Sequence, residues 1–320
     1  RKRSDRLFPP FPLSTFNHPM SSSFRIGVDG GGTKTECILV DEAGTVVARH
    51  LAPGCNPSVV GPEQARLIVT DALCALVNSA VGNRPSAILH THIYAAGNRV
   101  FWRETAATLT DFGKVFTADD SWPVLELATH GKPGLVLHGG TGSFVAARGP
   151  EGAVHYAGGI GWRFGDPGSG YDLGRRAIGR ALLEFQGWQP PSRLGPTVRD
   201  HTQLGDTADA AALTRFFYYH ADPNRQIAGL APALLRLAAE GDHTAHQLVL
   251  DSASELLALA ARVAAKLFPD TALDTLPAGL SGPILTHPVV VAAISARSPL
   301  ALAPVEGAPI EGVRRLLMRA

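Results

Sequence analysis

Cysteine is scarce in this chain. Among 320 residues there are only Cys37, Cys55 and Cys74, with no CxxC pair and no Cys/His spacing of a metal site. An odd, sparse set excludes a disulfide framework and suits a reducing compartment. Charge is thin as well: charged residues make up 18%, the formal net charge is +1, and no dense Lys/Arg stripe occurs. That excludes the electrostatic footprint of a nucleic-acid or anionic-membrane surface. No apolar run reaches the roughly 18 residues that a membrane-spanning helix needs. The twelve histidines show no HxxxH or HExxH spacing. The opening RKRSDRLFPPFPLSTFNHP is proline-rich and lacks the continuous apolar stretch of a signal peptide. The expectation is a soluble, cytoplasmic chain whose residues 1–19 are an extension ahead of Met20.

What is present is ordinary globular composition, 45% apolar, in a chain longer than one core usually holds. Two lobes are therefore expected. Residues 24–28 form an apolar strand running into DGGGTKT (29–35); 36–40 resume a β pattern, 41–44 turn, and 45–50 return. From residue 134 the same design recurs, with GLVLHGGTGSFVAARGPEGAVHYAGG set against RIGVDGGGTKTECILVDEAGTVVARH. A repeat about 110 residues apart implies a duplicated lobe. Between the copies, apolar spacing predicts a helix over 62–81 and buried strands over 87–95 and 114–118. After Tyr171 helices dominate, over 173–185, 208–219, 227–240 and 244–267. A strand follows over 276–280, then a GLSGP turn and further helix, and a closing helix over 311–318.

The glycine loop at Gly30, Gly31 and Gly32 opens a strand, whereas dinucleotide and Walker A loops must open a helix. A glycine hairpin can still cradle phosphate through successive backbone N–H groups. Thr33 adds a hydroxyl, Lys34 a positive charge, and Asp29 at the strand end is placed to hold Mg²⁺ directly or through its waters. With a second copy at 139–143, two loops can clamp one triphosphate.

The motifs DGGGTKT (29–35), ADDSW (118–122), GGTGS (139–143), GGIGWRFGDPGSGYDLG (158–174) and GLSGP (279–283) resemble the BadF/BadG ATPase and N-acetylglucosamine kinase family, within the acetate and sugar kinase/Hsp70/actin superfamily. The resemblance implies an α/β, two-lobed actin-like ATPase fold built from duplicated ribonuclease H-like domains. Residues 20–128 with the closing helix at 308–320 would form one lobe, and 129–307 the other. It further implies ATP and Mg²⁺ as cofactors and an amino sugar such as N-acetylglucosamine or glucosamine as substrate. A homodimer is one assembly open to it. Gly30, Gly31, Gly32, Thr33 and Lys34 match the first phosphate loop, and Gly140, Thr141, Gly142 and Ser143 the second. Gly279, Ser281 and Gly282 match the adenosine-contacting turn. The catalytic base falls at Asp119 or Asp120; spacing to GGTGS favours Asp120 and another alignment Asp119. Asn56, Gly97, Asn98, Gly161 and Asp166 match sugar-contacting positions.

The match has departures. Pro167 stands where the family loop reads GDEGS, Ile160 where a Trp is usual, and YAAGNR (94–99) lacks a hydroxyl found in the glucosaminide kinases. The Cys-rich zinc motif of the ROK kinases is absent, and no cysteine lies in the second lobe, where dehydratase activators hold an iron–sulfur cluster. The cysteines are expected as buried small hydrophobes, Cys37 and Cys74 lying in apolar-patterned elements. His138, beside the second loop, reads as a strand-end residue with local hydrogen bonds or as a phosphate contact. An ATPase that activates a partner enzyme and a non-catalytic sugar or nucleotide sensor are the competing functions.

Overall fold

A computed structural model describes residues 23–81 and 87–319. The proposed extension at 1–19, Met20 and Ala320 lie outside the described residues. The first sheet is an antiparallel hairpin meander, β1 (Ser23–Gly30), β2 (Lys34–Val40) and β3 (Val46–Pro53), extended by the parallel strands β4 (Ala87–Ala95) and β5 (Lys114–Ala118). Its order is β3-β2-β1-β4-β5. The second sheet repeats that plan with β6 (Gly134–Gly139), β7 (Ser143–Arg148), β8 (Val154–Gly158), β9 (Ala278–Ser281) and β10 (Leu302–Pro304), ordered β8-β7-β6-β9-β10. Each sheet thus carries its glycine loop at the same place, the first hairpin.

Period-two alternation gives the first sheet two buried faces. Cys37 and Leu39 of β2 face helix Pro62–Val81, packing with its Val69, Ala72, Leu73 and Leu76. Ile38 and Val40 face the opposite way, onto Ile310, Val313 and Leu317 of the closing helix Pro309–Leu317. That helix lies so close to β1 that a Cβ on Gly27 would stand 2.4 Å from Val313 Cγ1 and 2.8 Å from Leu317 Cδ1.

Helix Ser121–Thr129 joins the two halves. On one side the closing helix approaches it so tightly that a Cβ on Gly312 would meet the Pro123 carbonyl at 2.1 Å. On the other, Val124 and Leu125 pack on Val136 of β6 and on Phe144 and Ala146 of β7. Within this helix Glu126 is fully buried, facing Arg148 of β7 at 3.6 Å and Arg319 at 2.8 Å. The far face of the second sheet, Leu135, Leu137, Val145 and Ala147, is covered by helices Gly170–Phe185, Ala231–Ala239 and His243–Leu267.

Two expectations need correction. The helix expected over 227–240 is two helices, Pro223–Ala228 and Ala231–Ala239. Pro232 has no N–H to donate to a preceding turn, so it starts a helix instead of continuing one. Cys74 is exposed, unlike Cys37 and Cys55. On helix Pro62–Val81 the inward stripe runs through Val69, Ala72, Leu73 and Leu76, and Cys74 falls outside it. Helices Arg99–Thr108 and Leu194–Thr202 add to the elements anticipated.

The Gly27 contact yields a test. Gly27→Ala forces a methyl into Val313 and Leu317, and overpacking of this kind costs about 1–3 kcal/mol. Urea unfolding should show that loss; unchanged stability would contradict the seating of the closing helix on β1.

Candidate functional site

The first glycine loop is a tight reversal held from behind. The Gly31 amide donates to the Lys34 carbonyl at 2.9 Å, while Ala96 and Cys55 donate to the carbonyls of Gly30 (2.8 Å) and Gly31 (3.0 Å). Gly54 must be glycine, because a Cβ there would lie 2.2 Å from the Gly32 carbonyl oxygen. These bonds leave the Gly32 and Thr33 amides free of partners among the described residues, with Gly32, Thr33 and Lys34 exposed. The Lys34 ammonium pairs with Glu36 at 3.0 Å.

The second loop repeats the device. Gly140 donates to the Gly142 carbonyl at 2.9 Å, and Gly170 and Tyr171 donate to the carbonyls of Gly140 (2.8 Å) and Thr141 (3.2 Å). The Thr141 and Gly142 amides again have no partner among the described residues. Ser143 faces inward, its hydroxyl donating to the Pro167 carbonyl at 2.7 Å. GLSGP reaches the same place from β9: Gly282, at φ +83°, would put a Cβ 2.4 Å from the Gly139 carbonyl. His138 Nδ1 lies 3.2 Å from the Ser281 hydroxyl, and burial pulls the imidazole down to about 4, so it is neutral at physiological pH. His138 is therefore a strand residue with a local partner.

A chain of four carboxyl or phenol groups runs from the first loop to the second sheet. Asp29 ends β1; burial pushes its carboxyl up to about 6, with Lys34 opposing and Glu36 adding. Asp119 and Asp120 follow β5 and enter helix Ser121–Thr129, and they differ sharply. Asp119 is gripped by the Arg99 guanidinium, with Nε donating to Oδ1 at 2.7 Å and Nη2 to Oδ2. Asp120 makes no capping bond to the helix it precedes. Burial, then Asp29, then Asp119 push it up to about 7. Tyr156 of β8 feels Asp120, Asp119 and Asp166 in that order after burial, all raising its phenol. Nothing in the AVHYAGG segment marks it beforehand; its position on the third strand of the repeat is the only hint.

Asp166 connects this group to the second loop. Its Oδ2 is 2.9 Å from where a Gly142 Cβ would be, and its buried Oδ1 has no hydrogen-bond partner among the described residues. Burial pushes its carboxyl up to about 6, with the Gly161 backbone amide opposing and Asp172 adding. The loop carrying it is rigidly anchored: Gly168 donates to the Ser252 hydroxyl at 3.0 Å, which donates to Asp172 at 2.7 Å.

Asn56, Gly97 and Asn98 gather behind the first loop. A Cβ on Gly97, at φ +106°, would stand 3.0 Å from Asn56 Oδ1. Both asparagines cap helices, accepting from the Ser58 amide at 3.0 Å and the Val100 amide at 2.8 Å. Their side-chain NH₂ groups keep their donors. Gly161 is exposed at the mouth of the Asp166 loop.

Comparison with known proteins settles the lineage. The BadF/BadG/BcrA/BcrD ATPase family model matches residues 26–280. The chain belongs to that family. A curated relative in this group, the N-acetyl-D-glucosamine kinase of Dictyostelium discoideum, is 27% identical over 265 residues, 78% of this chain and 81% of that protein. The N-acetylmuramic acid/N-acetylglucosamine kinase of Clostridium acetobutylicum is 24% identical over 239 residues, 72% of this chain and 76% of that protein. Among solved structures, a candidate N-acetylglucosamine kinase from Chromobacterium violaceum superposes with a TM-score of 0.73 at 28% identity, covering 94% of this chain and 100% of that one. The twin five-stranded sheets are accordingly the two halves of the actin-like ATPase fold shared by this family.

The crowding of acids makes a prediction about stability. Asp120 has a folded pKa near 7, above the ordinary carboxylate value near 4, so the folded state prefers its protonated form. Ionising it costs folding stability as pH rises above 4, and the cost is complete once pH exceeds 7. Asp120→Asn should therefore melt higher than the native protein at pH 8, with Mg²⁺ and nucleotide absent, and match it near pH 4. Equal melting at both values would show that Asp120 is solvated and unstrained.

Proposed function

We propose that this chain is an ATP-dependent kinase that phosphorylates a hydroxyl of N-acetylglucosamine or a closely related amino sugar. One observation carries the reading: Asp120, buried and near Asp29, has no cationic or helix-capping partner among the described residues, while its neighbour Asp119 is held by the Arg99 guanidinium.

In this reading the amides around Gly30, Gly31, Gly32 and Thr33 and around Gly140, Thr141, Gly142 and Ser143 hold the polyphosphate of ATP, with Lys34 adding charge. Gly279, Ser281 and Gly282 border the adenosine. Asp29 is the metal-side carboxylate; one or two carboxylates plus phosphate oxygens and waters are what Mg²⁺ usually takes. Bound there, the cation neutralises charge on the phosphates. Asn56, Gly97, Asn98, Gly161 and Asp166 orient the sugar, with the unpartnered Asp166 Oδ1 accepting from a substrate hydroxyl. Asp120 accepts the proton of the attacking hydroxyl as the loose transition state forms. A carboxylate whose proton affinity has been lifted towards neutrality is better suited to that task than an ordinary aspartate. Arg99 keeps Asp119 from competing for it. A cytoplasmic location, where ATP is abundant, accompanies this reading. The partner-activating alternative is disfavoured because no cysteine follows Cys74 to ligate a cluster from the second half.

A coupled ADP-release assay over a panel of hexosamines tests the proposal. N-acetylglucosamine or a close relative should raise ADP release well above the ATP-only rate. Asp120→Asn should lower kcat by about 10²–10⁴, the usual contribution of a general base, with ATP affinity preserved, and Asp119→Asn should cost less. A sugar panel that leaves ADP release at the ATP-only rate would end the kinase reading.

A further inference from the structure

The imidazole of His138 is wedged between the second glycine loop and the GLSGP turn. Its Cε1 lies 2.9 Å from where a Cβ on Gly282 would stand, and its Nε2 lies 3.3 Å from the equivalent point on Gly140. One face of the ring is stacked on Phe144 at 4.9 Å, and Phe144 is stacked in turn on Tyr156 at 5.0 Å. The β6–β7 pairing sets His138 directly opposite Phe144, which fixes the stack. The ring therefore has little freedom to turn, and its two nitrogens meet different neighbours.

The local partner engages only one of them. Nδ1 lies 3.2 Å from the Ser281 hydroxyl, while Nε2 makes no hydrogen bond to the described residues, although the side chain is only part-buried. Burial keeps the imidazole neutral at physiological pH. One nitrogen then carries hydrogen and the other accepts, and the bond made at one sets the role of the other. With the Ser281 hydroxyl donating to Nδ1, Nε2 carries the hydrogen and becomes a donor beside Gly140. It adds a side-chain donor to the Thr141 and Gly142 amides, which the loop leaves free among the described residues. Its placement also indicates which part of a nucleotide it serves. Gly140 opens the loop assigned to polyphosphate, Gly282 belongs to the turn assigned to adenosine, and the α-phosphate is what joins those two parts of ATP.

We propose that His138 Nε2 donates a hydrogen bond to an α-phosphate oxygen of the adenine nucleotide, with Ser281 donating to Nδ1 to hold the required tautomer. The inference rests on the nucleotide part of the proposed function and not on the identity of the sugar. It makes His138 a nucleotide-binding residue, oriented by Phe144 and Ser281. The acceptor is charged and the donor is not, so the contact is charge-assisted without a buried ion pair.

Binding measured without turnover tests this. Isothermal titration calorimetry of the native protein with adenosine, AMP, ADP and a non-hydrolysable ATP analogue should show AMP bound about 10-fold or more tighter than adenosine, the range of a hydrogen bond to a charged group. His138→Asn places its amide at the Nδ1 position, where it still meets Ser281 but stops short of Nε2. It should lose most of the gain from adenosine to AMP and leave adenosine within about 2-fold. His138→Gln, whose amide reaches the Nε2 position, should restore much of that gain. Long-range ¹H–¹⁵N spectra of histidine-labelled native protein give a readout that needs no variant. AMP should leave His138 with its hydrogen on Nε2 and shift that nitrogen, and adenosine should not shift it. The proposal is overturned if AMP binds no tighter than adenosine, or if His138→Asn weakens both equally, as a ring that merely braces the two turns requires. It is overturned as well if His138→Gln does no better than His138→Asn, or if Nε2 lacks its hydrogen in the AMP complex. A native protein that binds none of the four ligands takes the nucleotide reading down too; one that binds them while the His138 effects fail leaves that reading standing.

Discussion

The structure is organised around carboxylates that it declines to neutralise. Asp29 comes from the central strand of the first sheet and Asp120 from just beyond its edge strand β5, yet Asp29 raises the proton affinity of Asp120, and burial raises both. Like charges brought out of water towards one another are costly unless a cation or a proton joins them. Nearby, Asp119 shows what neutralisation looks like when the fold supplies it: a guanidinium held by two bonds. The contrast between adjacent residues gives the site its direction. Asp120, with no cation beside it among the described residues, is an unfilled demand for positive charge, which under the proposed function Mg²⁺ would meet.

The rest of the architecture keeps that demand in place. The two sheets share helix Ser121–Thr129, whose first residue follows Asp120 and whose middle carries buried Glu126 between Arg148 and Arg319. A buried ion cluster of this kind is weak evidence for stability, but breaking it by removing one member is expensive. The closing helix, seated against Gly27 of β1 and through its own Gly312 against Pro123, presses the shared helix onto the second sheet. Asp120 is thereby fixed relative to β1 and to β7 at once.

Much of this was legible in the amino-acid sequence because it is local. Strands with period two, glycine turns between them and a 110-residue recurrence are written in consecutive residues, so both hairpins and the duplicated sheet could be read directly. The helix break before Ala231 escaped because the apolar spacing continues across Gly229 and Leu230 even though Pro232 interrupts the hydrogen bonding. Cys74 was misplaced by treating a whole helix as apolar when only one stripe faces inward. Spacing to GGTGS favours Asp120 over Asp119, but the difference in their surroundings was not legible. It depends on Arg99, twenty residues earlier in sequence, which pairs with Asp119 alone. Such contacts belong to tertiary packing and leave no periodic trace.

The central claim is that both glycine hairpins grip one polyphosphate by their main-chain amides. Selective ¹⁵N-glycine labelling with TROSY spectra tests it most directly, by titrating Mg²⁺ and a non-hydrolysable ATP analogue and following assigned loop amides. The account predicts that Gly31 and Gly32 shift together with Gly140 and Gly142, all with one common dissociation constant. Movement confined to one hairpin, or two hairpins saturating at different nucleotide concentrations, would contradict it.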